Sequence, residues 1–308
     1  MRKPRVYLDH NATTPLRPEA QGAVAAAMSV VGNPSSVHCE GRAARRIVED
    51  ARESVAELVG AEPSQVVFTS GGSEANALAL AGCGRRRVLV SAVEHSSVVL
   101  AVDGAESIPV DGDGVVVVAA LEEMLARSEE PAAVSVMLAN NETGVIQPVA
   151  EIAAIGRRHG AVLHCDAVQA PGRLGIDVRA LGADMLSLSA HKLGASAGCG
   201  AIVVNGVHME PVLRGGGQER RRRAGTENVV GLAGFFSQGE QFFVGKLAQA
   251  RFRQRADLVR RVHGIEERRA GVRAFGHYGR NISIFRGLYK ASHAAGQALG
   301  AAGASAQS

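Results

Sequence analysis

A chain of 308 residues with 46% hydrophobic and 21% charged side chains is long enough for a large buried core, and this composition excludes bulk disorder. Its 34 basic and 30 acidic residues leave a net charge of +4, too mild to call for nucleic acid or an anionic membrane as a partner. It has no run of about 18 apolar residues, so no membrane-spanning helix is expected.

The opening MRKPRVYLDHNATTP carries basic residues with no apolar stretch behind them and reads as mature protein, not as a signal peptide. From there, short β-branched runs alternate with Ala-rich helical stretches. Helices are predicted over 19–30 and 43–59, a strand over 66–69, a helix over 74–81 and a strand over 88–91. A helix over 121–127, a strand over 134–138, a helix over 149–159 and strands over 162–166, 185–189 and 201–204 follow. A long helix is predicted near 229–261; the segment after about residue 271 reads differently, containing FGHYGRNISIFRG, and its Ala/Gly/Ser-rich end, AAGQALGAAGASAQS, reads as a poorly ordered tail. Buried runs separated by helices predict an α/β fold with a mostly parallel central sheet, whose ligands sit beyond the carboxyl ends of the strands.

Four clusters stand near such strand ends. TSGGSEAN (69–76) runs from a strand into a helix; its glycines and free N–H groups suit a phosphate, or Ser73 and Glu74 simply start the helix. HCDAVQ (164–169) puts Asp166 at a strand end, fit either to pair with a protonated ring nitrogen or to cap a turn, with Gln169 three residues on. SLSAHK (187–192) places Lys192 beside Ser189 and His191; a buried lysine has a lowered pKa and can form a Schiff base, whereas an ordinary loop lysine is solvated. GGGQERRRRAGTEN (215–228) suits an anion or forms a solvated basic loop; without interleaved aromatics the nucleic-acid reading is weak. The cysteines, Cys39, Cys83, Cys165 and Cys199, form no CxxC pair and no zinc spacing, so no metal site is expected and a reducing cytoplasm suits them.

With YLDHNATTP (7–15), NPSSVHCEGRAAR (33–45), VEHSSV (93–98) and ANNETGVIQPV (139–149), these clusters form eight motifs in order over residues 5–235. Together they resemble the cysteine desulfurases of the nitrogen-fixation and iron–sulfur type, which are pyridoxal 5'-phosphate (PLP) enzymes of the aminotransferase class V group with fold type I. The resemblance implies a PLP-binding large domain over 15–228, and a smaller domain from 1–14 and 229–308 that reads as incomplete. It implies that Lys192 carries the cofactor, that Asp166 holds the ring nitrogen and Gln169 the phenolic oxygen, and that His95 stacks on the ring and moves protons. Asn141 is a further cofactor contact; Ser73, Glu74, Ser189 and His191 form the phosphate cup, completed by Thr226 of a neighbouring subunit in a homodimer. Asn11, Thr13 and Thr14 match an entrance segment. The reaction implied takes sulfur from L-cysteine, leaves L-alanine, and passes a persulfide to an iron–sulfur scaffold protein, nitrogenase assembly included.

Three departures from the family pattern bear on this. Ala195-Ser-Ala-Gly198 replaces Gly-Pro-Lys-Gly, and Arg221 stands where the family has Gly, adding bulk to a turn. The third is the C-terminal region, where the family carries a substrate-binding Arg and a cysteine loop; this chain has GASAQS there. Cys39, in the entrance motif, is the one candidate thiol. The alternatives are a PLP-binding homologue with another lyase or aminotransferase-like activity, or a catalytically impaired relative.

Overall fold

The computed structural model describes residues 6–236, all within one compact unit. Before the first strand come α1 (Pro18–Ala27) and α2 (Cys39–Val59). The α2 helix starts on His38, whose ring accepts the Gly41 N–H, and stops at Gly60, which takes the left-handed conformation (φ +70°) that favours glycine. Val48, Ala51, Val55 and Val59 recur at helical spacing and are buried.

The sheet strands are β1 (Val66–Thr69), β2 (Arg87–Ser91), β3 (Glu106–Ile108), β4 (Ala132–Ser135), β5 (Val162–Asp166), β6 (Met185–Ser189) and β7 (Gly200–Val204). Between them run α3 (Gly72–Gly82), α4 (Ser96–Val99), α5 (Val118–Ala126), α6 (Val149–Arg158) and α7 (Val178–Leu181), and α8 (Val229–Phe236) follows β7. The strand order is β1-β7-β6-β5-β4-β2-β3. All pairings are parallel except those of β7, which runs antiparallel to both β1 and β6. The predicted mostly parallel sheet is therefore present.

Alternate residues of each strand enter different cores, as the two-residue strand period requires. Phe68, Leu89, Val134, Leu163, Cys165, Leu186 and Val203 pack with α2, α5, α6 and α8. Val67, Val88, Ala133, Val162, Met185 and Ile202 pack with α3 and α4. The arrangement is helix, sheet, helix, and both sheet faces are buried. On the α3 face a polar row crosses three strands: the buried His164 ring lies 2.8 Å from Ser135 Oγ and 2.9 Å from Ser187 Oγ, and burial lowers its pKa to about 3. Cys165 points to the opposite face from Asp166, as its place on the strand predicts.

Several boundaries differ from the sequence expectation. The strand predicted at 134–138 begins at Ala132 and ends at Ser135, although Val136 and Leu138 still donate to the His164 and Asp166 carbonyls beyond it. The described part of the predicted helix at 229–261 is α8; residues from 237 onward, with the tail expectation, lie outside the described residues. β3, α4 and α7, of three or four residues each, are additional to the predicted elements.

Candidate active site

Asp166 ends β5, Ser189 ends β6, and a short 3-10 turn from Ala190 to Lys192 carries the lysine on from there. The start of α3 faces them. A cavity of about 580 Å³ opens at these carboxyl ends. Of the expected site residues, Ser73, His95, Asn141, Asp166, Gln169, Ser189, His191 and Lys192 line it, as does Asn11 of the entrance segment.

The Asp166 carboxylate is buried. Oδ1 accepts the Val168 N–H at 2.9 Å and Oδ2 accepts the Asn76 amide at 2.8 Å. Burial pushes its pKa up; those two bonds and the nearby His95 and Lys192 pull it back only in part. Lys192 is shifted down, first by burial and then by the nearby Arg173, against the pull of Asp9 and Asp166. His191 is lowered by burial and by Lys192. Beside His95, Glu94 turns its carboxyl inward: Oε1 accepts the Met137 N–H at 2.6 Å, and Oε2 is buried without a hydrogen-bond partner. Burial, then the Asp166 charge, push the Glu94 pKa well above the usual carboxylate range.

The segment from Asp9 to Thr14 lies across the entrance. The Lys192 ammonium donates to the carbonyls of Asn11 and of Ala12 (2.9 Å), and Gln169 Nε2 donates to the Asn11 carbonyl at 2.9 Å. Thr13 Oγ1 meets His191 Nδ1 at 3.2 Å, and Thr14 Oγ1 donates to the Lys192 carbonyl at 2.9 Å. Arg173 bonds Gln169 Oε1 and the His10 carbonyl.

Two expected site residues stand outside the cavity. The Glu74 carboxylate pairs with Arg223 at 2.7 Å and accepts the Ser70 N–H at 2.7 Å. Burial pushes its pKa up, and the bonds from Arg223 and Ser70 with the Arg223 charge together outweigh it and hold Glu74 low. Thr226 is exposed and does not line the cavity of its own chain. Asn76 and Ser97 line the cavity without having been singled out as site residues. Asn76 sits one helical turn after Gly72, an i, i+4 spacing that places both on one face.

The residues fit a PLP-sized group with an anionic end. No side chain caps α3, so its first N–H groups remain for a ligand, and the helix dipole favours an anion there. A Cβ added at Gly72 would lie 2.8 Å from Val168 Cγ2, so only glycine leaves that cradle open. Among the described residues, no His/Cys/Asp/Glu group could hold a metal ion.

Of the four thiols, three are buried. Burial raises Cys83, raises Cys165 well above the usual thiol range and pushes Cys199 to about 11. Cys39 is exposed at the start of α2, beside Glu40.

The aminotransferase class-V family model matches residues 6–262. An IscS-like cysteine desulfurase of Mycobacterium tuberculosis is 40% identical over 277 residues, 84% of this chain and 70% of that protein. The structure of a NifS-like protein from Rickettsia africae superposes with a TM-score of 0.72 at 37% identity, covering 77% of this chain and 68% of that one. A structure titled SspA in complex with cysteine gives a TM-score of 0.72 at 31% identity, covering 76% of this chain and 72% of that one. Against a set of curated cysteine desulfurases that it matches, the chain spans from 60% to 70% of their length. Its α/β sheet is that of the NifS-like, fold-type I structures, and the chain belongs to the aminotransferase class-V family, in the cysteine desulfurase group.

Proposed function

We propose that this chain binds PLP through Lys192 and takes sulfur from L-cysteine, leaving L-alanine, in a reducing cytoplasmic setting that suits its four free thiols. The observation that carries this reading is one cavity bringing together the Lys192 amine, the buried Asp166 carboxylate and the uncapped start of α3. Lys192 holds the cofactor carbonyl; Asp166 holds the ring nitrogen; Gln169, Asn141 and His95 contact the ring. Ser73, Ser189, His191 and the α3 N–H groups hold the phosphate. Bound there, PLP supplies an electron sink for carbanion chemistry at the substrate α-carbon. The lowered pKa of Lys192 makes its amine available for proton removal nearer neutral pH. The cysteine complex of the SspA structure supports the substrate class. Exposed Thr226 completes the phosphate cup of a second subunit, making the protein a homodimer, and an iron–sulfur scaffold protein receives the sulfur.

The sulfur acceptor is the weak part of the machinery. A thiolate is the effective nucleophile towards sulfur, and three of the four thiols are buried with raised pKa values. The 308-residue chain is therefore expected to bind PLP as a yellow, borohydride-reducible adduct and to release alanine only very slowly. Lys192→Ala should lose that adduct; a borohydride-trapped cofactor on another lysine overturns the assignment. Alanine release with dithiothreitol, compared with Cys39→Ser, locates the sulfur. Fast release that survives this change contradicts the slow turnover, and fast release lost with it makes Cys39 the acceptor.

A further inference from the structure

Asn76 links Asp166 to His95 through Ser97. We infer that Asn76 is a positioning residue that, through Ser97, fixes the neutral ring of His95 with its proton on Nε2, so that this histidine faces the reaction as a proton donor at Nε2. The inference deepens the proposed function and rests on it for its chemical meaning, while its geometry stands alone.

Asn76 is 1% exposed. Its amide nitrogen lies 2.8 Å from Asp166 Oδ2 and 2.9 Å from Ser97 Oγ. An amide NH₂ has two protons and no acceptor, so both contacts are donations. Turning the amide over would set its carbonyl against the carboxylate, two acceptors face to face, so the polarity is fixed. Ser97 Oγ thus accepts from Asn76, and its one proton is left for the neighbour at 2.8 Å, His95 Nδ1. The Ser97 backbone N–H lies 3.1 Å from the same nitrogen and can only donate. Two donors converge on Nδ1, which must present its lone pair; in the neutral ring the proton is then on Nε2. Asp166 and His95 lie at the two ends of one relay whose donors all point outward from Asn76.

The test reads the ring directly in the full chain labelled with ¹⁵N-histidine, with and without PLP. Long-range proton–nitrogen correlation, with His95 assigned by its loss in His95→Gln, should show a protonated Nε2 and a bare Nδ1 at neutral pH. Ser97→Ala removes one donor and should raise the minor tautomer about five-fold, the weight of one ordinary hydrogen bond; Ser97→Thr should restore the parent ratio. Asn76→Asp replaces the donor by an acceptor, turning the serine proton away from the ring, and should raise the Nδ1-protonated form further. If that variant does not fold, the Ser97 pair decides. A protonated Nδ1 in the parent, or an unchanged ratio in Ser97→Ala, overturns the inference. Failure to bind PLP or to release alanine would overturn the proposed function and leave this result standing.

Discussion

The cavity floor and the loop from Gly215 to Thr226 are held in opposite ways. Asp166, Ser189 and the α3 start sit at the ends of regular elements, so ordinary backbone geometry aims them. The loop instead carries Glu219, Arg220 and Arg221 in succession at φ of 45°, 56° and 64°, the left-handed region that side chains disfavour. It stays there because Glu219 is buried in a two-pronged ion pair with Arg52, at 2.8 and 2.9 Å, and accepts the Phe68 N–H at 2.9 Å. The Arg52 guanidinium stacks 4.8 Å from the Phe68 ring. Arg220 ties the loop to the Ser64 carbonyl at 2.8 Å, and Arg223 ties it to Glu74 on α3. Regular elements place side chains at little conformational cost; this loop is placed by charge against strain.

That contrast can be broken most sharply at Arg52. Arg52→Met leaves Glu219 as an uncompensated buried charge and should cost about 3–5 kcal/mol in denaturant unfolding. Adding Glu219→Gln should recover much of it; a single-variant loss near zero would mean the pair does not hold the loop.

Glu94 probes the other region through pH. Its folded-state pKa is raised, so its stabilising contribution is full below the unfolded value and fades as pH rises through the folded one. Glu94→Gln keeps the acceptor for Met137 and cannot ionise. Its unfolding free energy should lack a fall of about 1.4 kcal/mol per pH unit above the ordinary carboxylate range. Asp166, raised as well, leaves a remaining slope in both proteins. Parallel stability–pH curves for parent and variant would show that Glu94 is not buried as an acid.

The smallest effect is expected at Arg221. Arg221→Gly removes a left-handed side chain and should stabilise the protein by about 1 kcal/mol, read as a raised Tm. A loss of stability would show that the loop bears no strain there.

Arg221 also marks how far the sequence could be read. The resemblance singled it out as bulk in a turn, and the backbone there is the one glycine favours. The runs that became β1, β5 and β6 were legible residue for residue: each opens on two apolar residues and closes on a polar one, Thr69, Asp166 or Ser189, that marks the strand end. Edge strand β3 and the single-turn helices α4 and α7 are too short to show a period. In the site, residues at strand ends announced themselves, whereas the link from Asn76 through Ser97 to His95 joins segments 21 residues apart and shows only in three dimensions. The Glu74 ion pair was hidden for the same reason: its partner, Arg223, lies 149 residues away.

The reversed strand β7 has a consequence in time. Among the described residues, β1 is an edge strand that pairs with β7 alone. Between Thr69 and Gly200 the ribosome must add 200 − 69 = 131 residues, on the order of ten seconds of synthesis. β1 thus waits for β7 while five later strands, β2 to β6, can already pair with one another, and the sheet closes from the far side back towards the start of the chain.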